Sequence, residues 1–266
     1  MSVREALTAA YLMDALIAVA AAHKSTLSGE DRNFYQTEAT RLMTRSLTKF
    51  NAYDEITEDY AMAAFLYTML LGQLVLFEIF SQGEDMTSTL DRFVHCIKLH
   101  HGIRKVVAPV WHKIKPIMGG CHLAEWVSDG IPKGRETNSE CSPLWELLGR
   151  NDLSSSTRHA YSSSIEALQM MFNYMSEHPT NRMMAVQEWL VRISMDFVDL
   201  ISQRRPEALI ILAYYAVLLH HAKDFWAIGS AGRLLIESIT SYLGEYWLPW
   251  LEWPNEVLNR PPVLAN

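Results

Sequence analysis

The chain has 266 residues, of which 49% are hydrophobic and 20% are charged, and this balance excludes an intrinsically disordered protein. Its 30 acidic residues outnumber the 23 basic ones, which gives a formal net charge of -7, and no run of Lys or Arg marks a nucleic-acid surface. We therefore expect no direct binding of nucleic acid by this chain.

The cysteines are three in number, Cys96, Cys121 and Cys141, and they form no CxxC pattern. They predict neither a disulfide framework nor a thiolate zinc site. An intracellular location, in the cytoplasm or the nucleus, fits this usage best.

Two apolar stretches imitate targeting or membrane segments. The N-terminal stretch LMDALIAVAAAHK ends like a cleaved signal peptide, but Asp14 interrupts its apolar part, which favours a buried helix. The run from Ala208 to Leu219 has twelve apolar residues. Because a helix needs about 20 to cross a bilayer, we predict no membrane span.

Apolar residues recur at helical spacing along nearly the whole chain, and no segment alternates as a strand does. The sequence therefore predicts an all-α fold with buried central helices, in a single domain of residues 1–266. The first predicted helices run from Val3 to Lys24, from a cap at Ser28 to Phe50, from Ala61 to Phe80, and from Met86 to His101 with a stop at Gly102.

Residues 128–142 contain two Gly, one Pro and many small polar residues, which predict a polar loop with the composition of a lid. Beyond this loop the helical pattern resumes. The predicted helices begin at Ser142-Pro143 and then run from Arg158 to Ser176, from Met183 to Gln203, from Pro206 to Asp224 and from Ser230 to Leu243, before an aromatic tail, YWLPWLEWP.

Common catalytic motifs are absent, including GxGxxG, the P-loop, GxSxG and HExxH. Candidate acids and bases therefore come from spacing alone. Asp91 lies one helical turn before His95, and His221 lies three residues before Asp224, so each pair could share a proton. A solvated helix face and a helix C-terminus explain these pairs equally well. Because two groups do not close a metal site, we predict no metal and no cofactor.

Asp14 is the one carboxylate in an otherwise apolar helical segment. If it faces a cavity, its pKa is raised and it can protonate an apolar substrate. If it faces Arg or water, it is a surface residue of the helix. The sequence leaves both alternatives open.

The chain is rich in adaptable side chains, with 13 Met and 8 Trp residues. Such residues suit an irregular core and also a cavity for an apolar ligand. The candidate ligand-binding residues are Tyr11, Met13, Phe65, Met69, Phe77, Tyr215 and Trp226.

Several passages together resemble a known family. They are YLMDALIAVAAAHKS, FYQTEATRLMTRSLTKFN and ITEDYAMAAFLYTMLLGQ in the first part, and RPEALIILAYYAVLLHHAKDFWAIGSAGRLLIESITSYLGEYWLPWLEWP in the last. The last passage contains Pro206-Glu207-Ala208, Trp226 and Trp253-Pro254 in the family's order. These passages resemble the C-terminal regulatory domain of fungal zinc-cluster transcription factors of the sterol uptake control type.

The resemblance implies an all-helical domain with a hydrophobic pocket that binds a sterol and governs activation. The six-cysteine DNA-binding cluster of such regulators is not found in this chain, so we expect either an excised regulatory domain or a stand-alone protein that kept the pocket. The first hypothesis is a binding protein for a hydrophobic, sterol-like or terpenoid-like molecule. The alternatives are a cofactor-free cyclase or isomerase that uses the same pocket, and a helical module for homodimerisation.

Overall fold

The computed structural model describes residues 9–27, 29–53, 57–81, 86–107, 112, 140–150 and 152–259. Within these ranges the chain forms eleven α-helices and two short 3-10 turns and no β-strand, which confirms the predicted all-α class. The predicted cap at Ser28 and nearly all of the loop 128–142 lie outside the described residues. The chain divides into two compact units, residues 1–81 with 99–132 (unit 1) and residues 82–98 with 133–266 (unit 2). The single domain stays a prediction.

Unit 1 is built on helices α1 (Ala10–Leu27), α2 (Arg32–Phe50) and α3 (Ala61–Ser81), with a 3-10 turn at Glu58–Tyr60 before α3. Helix α1 packs against both α2 and α3. Its buried face contains several small residues, which let the backbones approach closely. The buried alanines of α1 are Ala15, Ala18 and Ala22.

Helix α3 is predicted to be a central helix, and most of its residues are buried. Among the helices described, it alone has both the length and the hydropathy of a membrane span. Because 61% of that apolar window is buried within the protein, α3 has the surroundings of a core helix.

Unit 2 is organised around one helix, α9 (Pro206–His221), in which every residue from Glu207 to Leu219 is buried. The chain enters this unit in α4 (Met86–Val107), which the unit boundary divides between Lys98 and Leu99. The helices that pack against α9 are α5 (Ser142–Arg150), α6 (Ser155–Glu177), α7 (Arg182–Arg192), α8 (Met195–Ser202), α10 (Ala231–Leu243) and α11 (Leu248–Asn259).

Most predicted helices shift by three residues or fewer at an end, such as the one predicted to end at Asp224, which ends at His221, and two differ more. The segment predicted as one helix from Met183 to Gln203 is two, because Ser194 takes an extended conformation and its hydroxyl caps α8 by accepting from the Phe197 N–H. Helix α4 continues through Gly102 to Val107. The predicted stop was wrong because a glycine lowers helix stability without ending a helix by itself.

Gly232 is the point at which α10 crosses α9. A Cβ atom at this position would lie 2.3 Å from the backbone nitrogen of His220 and 2.5 Å from the carbonyl oxygen of Ala216. Only a residue without a side chain permits this approach. The crossing explains how a helix as apolar as α9 is covered tightly on this side.

Candidate functional site

Asp14 forms the ionic centre of unit 1. Its carboxylate accepts two hydrogen bonds from Arg45, from Nε at 2.8 Å and from Nη2 at 2.6 Å, and Lys49 Nζ lies 2.8 Å from Oδ2. Asp14 is on α1 and both cations are on α2, one helical turn apart. The triad therefore ties α1 to α2 at a position that is only 4% exposed.

The surroundings of Asp14 determine its charge. Burial alone raises the pKa of this carboxyl group, but the hydrogen bonds and charges of Arg45 and Lys49 outweigh burial and leave the pKa below its ordinary value. Asp14 is thus an ionised, paired carboxylate. The raised pKa that general-acid chemistry would require is not found. Asp14 faces an arginine, as in the second alternative that the sequence left open, but it is buried and is not a surface residue of the helix.

Asp91 and His95 lie on the exposed side of α4, and the structure describes no hydrogen bond between them. Asp91 instead pairs with Arg204, whose Nη2 is 3.3 Å from Oδ1. The carboxylate is mostly exposed. Its geometry is that of a solvated helix face, the simpler of the two alternatives that the sequence left open.

His221 and Asp224 are separated by the end of α9, because the helix stops at His221 and Asp224 lies in the following turn. Arg182 contacts both residues: its Nη1 donates to the His221 carbonyl oxygen at 2.9 Å and lies 3.9 Å from Asp224 Oδ2. Burial of the ring, followed by the neighbouring charges of His220, Arg182 and Lys223, lowers the pKa of His221. The cation beside the Asp224 carboxylate is therefore Arg182. The structure describes no hydrogen bond between the side chains of His221 and Asp224.

No group of three or more His, Cys, Asp or Glu side chains with the geometry of a metal site occurs within the part of the chain that the structure describes. Cys96 and Cys141 are buried, and burial raises the pKa of both thiols, so they remain protonated.

In unit 2 two large buried aromatic residues, Trp189 and Tyr215, have polar partners. Tyr215 stacks on Trp189 with 4.3 Å between ring centroids, and its hydroxyl donates to the Val186 carbonyl oxygen at 3.2 Å. The Trp189 indole N–H donates to the Ser164 carbonyl oxygen at 3.1 Å. These contacts give the hydroxyl of Tyr215, a predicted ligand-binding residue, a protein partner. Its ligand-binding role stays a prediction. Trp226 is half-buried and packs beside Phe225.

Unit 1 contains a different aromatic group, here named the tyrosine cluster, which consists of Tyr11, Tyr53, Tyr60 and Tyr67 around the ring of Phe50. The Tyr11 ring lies 5.2 Å from Phe50, 5.2 Å from Tyr67 and 5.5 Å from Tyr53, all edge to face. Phe50 stacks on Tyr67 at 4.5 Å, and Tyr53 lies 5.8 Å from Tyr60. The cluster joins α1, α2 and α3.

Two members of the tyrosine cluster have unpaired hydroxyl groups. Tyr11 is 1% exposed and Tyr67 is 0% exposed, and neither phenol oxygen has a hydrogen-bond partner of ordinary geometry among the residues that the structure describes. Ser46 is near enough to the Tyr67 hydroxyl for a weak hydrogen bond that lowers the pKa of Tyr67, but the Ser46 hydroxyl donates its own proton to the Met43 carbonyl oxygen, and no hydrogen bond of ordinary length and angle joins the two side chains. A buried polar group without a partner costs about 1–3 kcal/mol, so two in one cluster require an explanation.

Both phenols keep their protons at neutral pH. Burial raises the pKa of Tyr11, and the phenols of Tyr53, Tyr60 and Tyr67 raise it further. Burial raises the pKa of Tyr67 to about 12 against a smaller opposing effect of Ser46. The cluster therefore presents two neutral O–H donors within an apolar core.

The other candidate ligand-binding residues of unit 1 lie outside the tyrosine cluster. Phe65 and Phe77 are buried, while Met13 and Met69 are half-buried. Their ligand-binding role stays a prediction. Tyr67 and Tyr53 were missed by the sequence analysis, because an unpaired phenol is defined by what surrounds it in space and leaves no periodic pattern.

Unit 2 also has an open groove of about 720 Å³ along α11 and the end of α10. It is lined by Thr240, Glu245, Leu248, Pro249, Glu252, Asn255, Glu256 and Asn259. Asn255 is fixed there by hydrogen bonds from Nδ2 to Thr240 Oγ1 and to the Leu251 carbonyl oxygen. The groove has an acidic rim and contains none of the predicted site residues.

Comparison with known proteins supports the resemblance seen in the sequence. The chain is 27% identical, over an alignment of 267 positions, to a protein of Gibberella zeae described as a Zn(2)-C6 fungal-type transcription factor. The alignment covers 92% of this chain and 52% of that relative, so the chain spans about half of the relative's length. No family model matches the chain. No solved structure matches it either.

Proposed function

We propose that the chain acts as a regulatory region of a fungal zinc-cluster transcription factor of the sterol uptake control type, and that it binds a hydrophobic, sterol-like or terpenoid-like molecule. The similarity to a Zn(2)-C6 fungal-type transcription factor extends over 92% of the chain and so includes both units. Such a role agrees with an intracellular location, in the nucleus or the cytoplasm, and with the absence of a basic run in the sequence.

The observation that carries the ligand-binding part of the proposal is the pair of unpaired phenols in the tyrosine cluster. Apolar ligand sites combine hydrophobic and aromatic walls with a few polar groups that orient the ligand. The cluster offers five aromatic rings and two O–H groups with no protein partner. A ligand oxygen that reaches these groups would remove the free-energy cost of leaving them unpaired.

Catalysis receives no comparable support from the candidate acids. The Asp14 carboxylate is held ionised by two cations, and Asp91 and Asp224 are exposed carboxylates beside Arg204 and Arg182. None of them is an acid whose environment favours the protonated form that a cyclase would use. We therefore propose binding alone.

A reporter assay tests the regulatory role. The chain is fused to an unrelated DNA-binding domain in yeast, and transcription is followed while sterols and terpenoids are supplied or depleted. We expect at least a severalfold change of reporter output with one ligand class and none with the DNA-binding domain alone. The same compounds should raise the melting temperature of the purified chain. A reporter that is indifferent to the whole panel contradicts the proposal.

A further inference from the structure

The ligand class follows from the tyrosine cluster, and this inference rests on the proposed function. We propose that the tyrosine cluster of unit 1 binds the carbonyl oxygen of a neutral apolar molecule, with the hydroxyls of Tyr11 and Tyr67 as the two hydrogen-bond donors. The rings of Tyr11 on α1 and Tyr67 on α3 are 5.2 Å apart, so both donors belong to one small region of the core.

The count of donors and acceptors selects the carbonyl group. Each phenol needs an acceptor for its O–H, and a carbonyl oxygen has two lone pairs and no hydrogen of its own. It can therefore accept from both phenols without adding an unpaired donor. A ligand hydroxyl that accepts from both leaves its own hydrogen unpaired, and a hydrocarbon satisfies neither. We expect binding strength to fall from ketone to alcohol to hydrocarbon.

The surroundings favour a neutral, apolar molecule. The five side chains that make up the tyrosine cluster are uncharged, and the faces and edges of Phe50 and Tyr53 provide apolar contact surface. The cluster also extends from the interior to the solvent, because Tyr11 is buried whereas Tyr53 is 39% exposed and Tyr60 is half-buried. A molecule that displaces the Tyr53 ring would reach the Tyr11 hydroxyl from this exposed side.

The experiment uses three molecules with one carbon skeleton: 2-decalone, 2-decalol and decalin. Their dissociation constants are measured on the full chain and on the variants Tyr11→Phe and Tyr67→Phe. The wild type should bind the ketone about tenfold more tightly than the hydrocarbon, since two hydrogen bonds to unpaired donors each contribute a factor of a few. Each variant should lose most of this preference while its affinity for decalin stays unchanged.

Melting temperatures provide the second measurement, with Tyr215→Phe as the matched control. Removing an unpaired hydroxyl should leave the melting temperature unchanged or raise it by a few degrees, whereas removing the bonded hydroxyl of Tyr215 should lower it. If Tyr11→Phe and Tyr67→Phe lower the melting temperature as Tyr215→Phe does, the phenols are bonded to a buried water only, and the inference is overturned.

The failure of this inference can be told from the failure of the proposed function. A wild-type chain that responds in the reporter assay but does not prefer the ketone overturns the carbonyl site and leaves the regulatory role intact. A chain that prefers the ketone through Tyr11 and Tyr67 but gives no reporter response retains the site and loses the regulatory role. Unchanged preference in both Phe variants also overturns the inference.

Discussion

The aromatic cores of unit 1 and unit 2 use the same kinds of side chain but treat their polar atoms differently. In unit 2 the Tyr215 hydroxyl and the Trp189 indole N–H both donate to backbone carbonyl groups on neighbouring helices. In unit 1 the hydroxyls of Tyr11 and Tyr67 are equally buried and have no protein partner. The fraction of exposed surface therefore does not distinguish these two cores, whereas the unpaired hydroxyl groups of Tyr11 and Tyr67 do.

The difference is large enough to affect stability. A bonded phenol contributes about 0.5–1.5 kcal/mol to the free energy of unfolding, while a buried, unpaired one costs about 1–3 kcal/mol. Unit 2 thus gains stability from the bonded hydroxyl of Tyr215, and unit 1 retains a free-energy cost that the proposed ligand would remove. Comparable substitutions in the two units should expose this contrast.

The largest expected effect is that of Trp189→Ala in unit 2. This change removes a fully buried indole, its stacking on Tyr215 and its bond to Ser164, so it should lower the free energy of unfolding by about 3–5 kcal/mol. Phe50→Ala, which removes the half-buried stacking partner of Tyr67 in unit 1, should cost less. Urea denaturation followed by circular dichroism measures both. If Phe50→Ala lowered the free energy of unfolding as much as Trp189→Ala or more, the difference between the cores of the two units would be contradicted.

Gly232→Ala should have the next largest effect, because its Cβ would meet backbone atoms of α9 that cannot move aside singly. We expect a loss of about 2–3 kcal/mol in the free energy of unfolding. Gly149→Ala is the matched control in α5: nothing lies within 4 Å of the added carbon, and alanine favours a helix over glycine by up to about 1 kcal/mol. Thermal denaturation should show opposite shifts, and two downward shifts would disprove the close crossing.

Asp14→Asn tests the ionic centre of unit 1 and should lower the free energy of unfolding by about 1–3 kcal/mol at neutral pH, since Arg45 and Lys49 are half-exposed and keep part of their hydration. The pKa of the folded carboxyl lies below its ordinary value of 3.8, so the wild type has its full advantage above that pH. The advantage declines as the pH falls through the folded pKa.

Denaturation curves of wild type and Asp14→Asn between pH 2 and pH 7 measure this decline. Asp91→Asn serves as the control, because its exposed pair with Arg204 should contribute less than about 1 kcal/mol. A wild-type advantage that persists undiminished at the lowest pH would show that the charge of Asp14 is not what stabilises unit 1.

The smallest expected effect concerns Tyr161, a buried phenol of unit 2 whose hydroxyl lies 3.5 Å from Glu207 Oε2. This long hydrogen bond predicts a loss of at most about 1 kcal/mol in Tyr161→Phe. The direction of the change matters more than its size. Tyr161→Phe in unit 2 should lower the free energy of unfolding, whereas Tyr67→Phe in unit 1 should not. Equilibrium denaturation of the two variants in parallel decides it, and a gain at Tyr161 would contradict the contrast.

The helices could be predicted from the sequence because apolar spacing and helix caps act over a few residues. The bounds of α2 at Phe50 and of α10 at Leu243 agree with the prediction for this reason. The break at Ser194 was missed although the sequence contains a signal for it, a serine followed two residues later by Asp196. Apolar residues recur at helical spacing on both sides of Ser194, so the pattern indicated one continuous helix and the helix cap at Ser194 was overlooked.

The candidate site could be predicted only in part. Asp14 was recognisable as an unusual acid, but its partners Arg45 and Lys49 come from another helix, and helix spacing does not reveal such a pairing. Tyr11 was predicted as a ligand-binding residue without its neighbours. The unpaired state of Tyr11 and Tyr67 depends on every group that surrounds them, which is a property of the packed core and not of any short pattern.

The burial of α9 from Glu207 to Leu219 has a consequence for hydrogen exchange. A helix with no face toward solvent cannot open locally without losing its contacts with the helices around it, so its backbone amides should exchange only when unit 2 unfolds as a whole. The exchange rate of residues 207–219, measured by mass spectrometry, then reports the lifetime of the folded unit. Amide exchange in α9 therefore measures how often unit 2 unfolds.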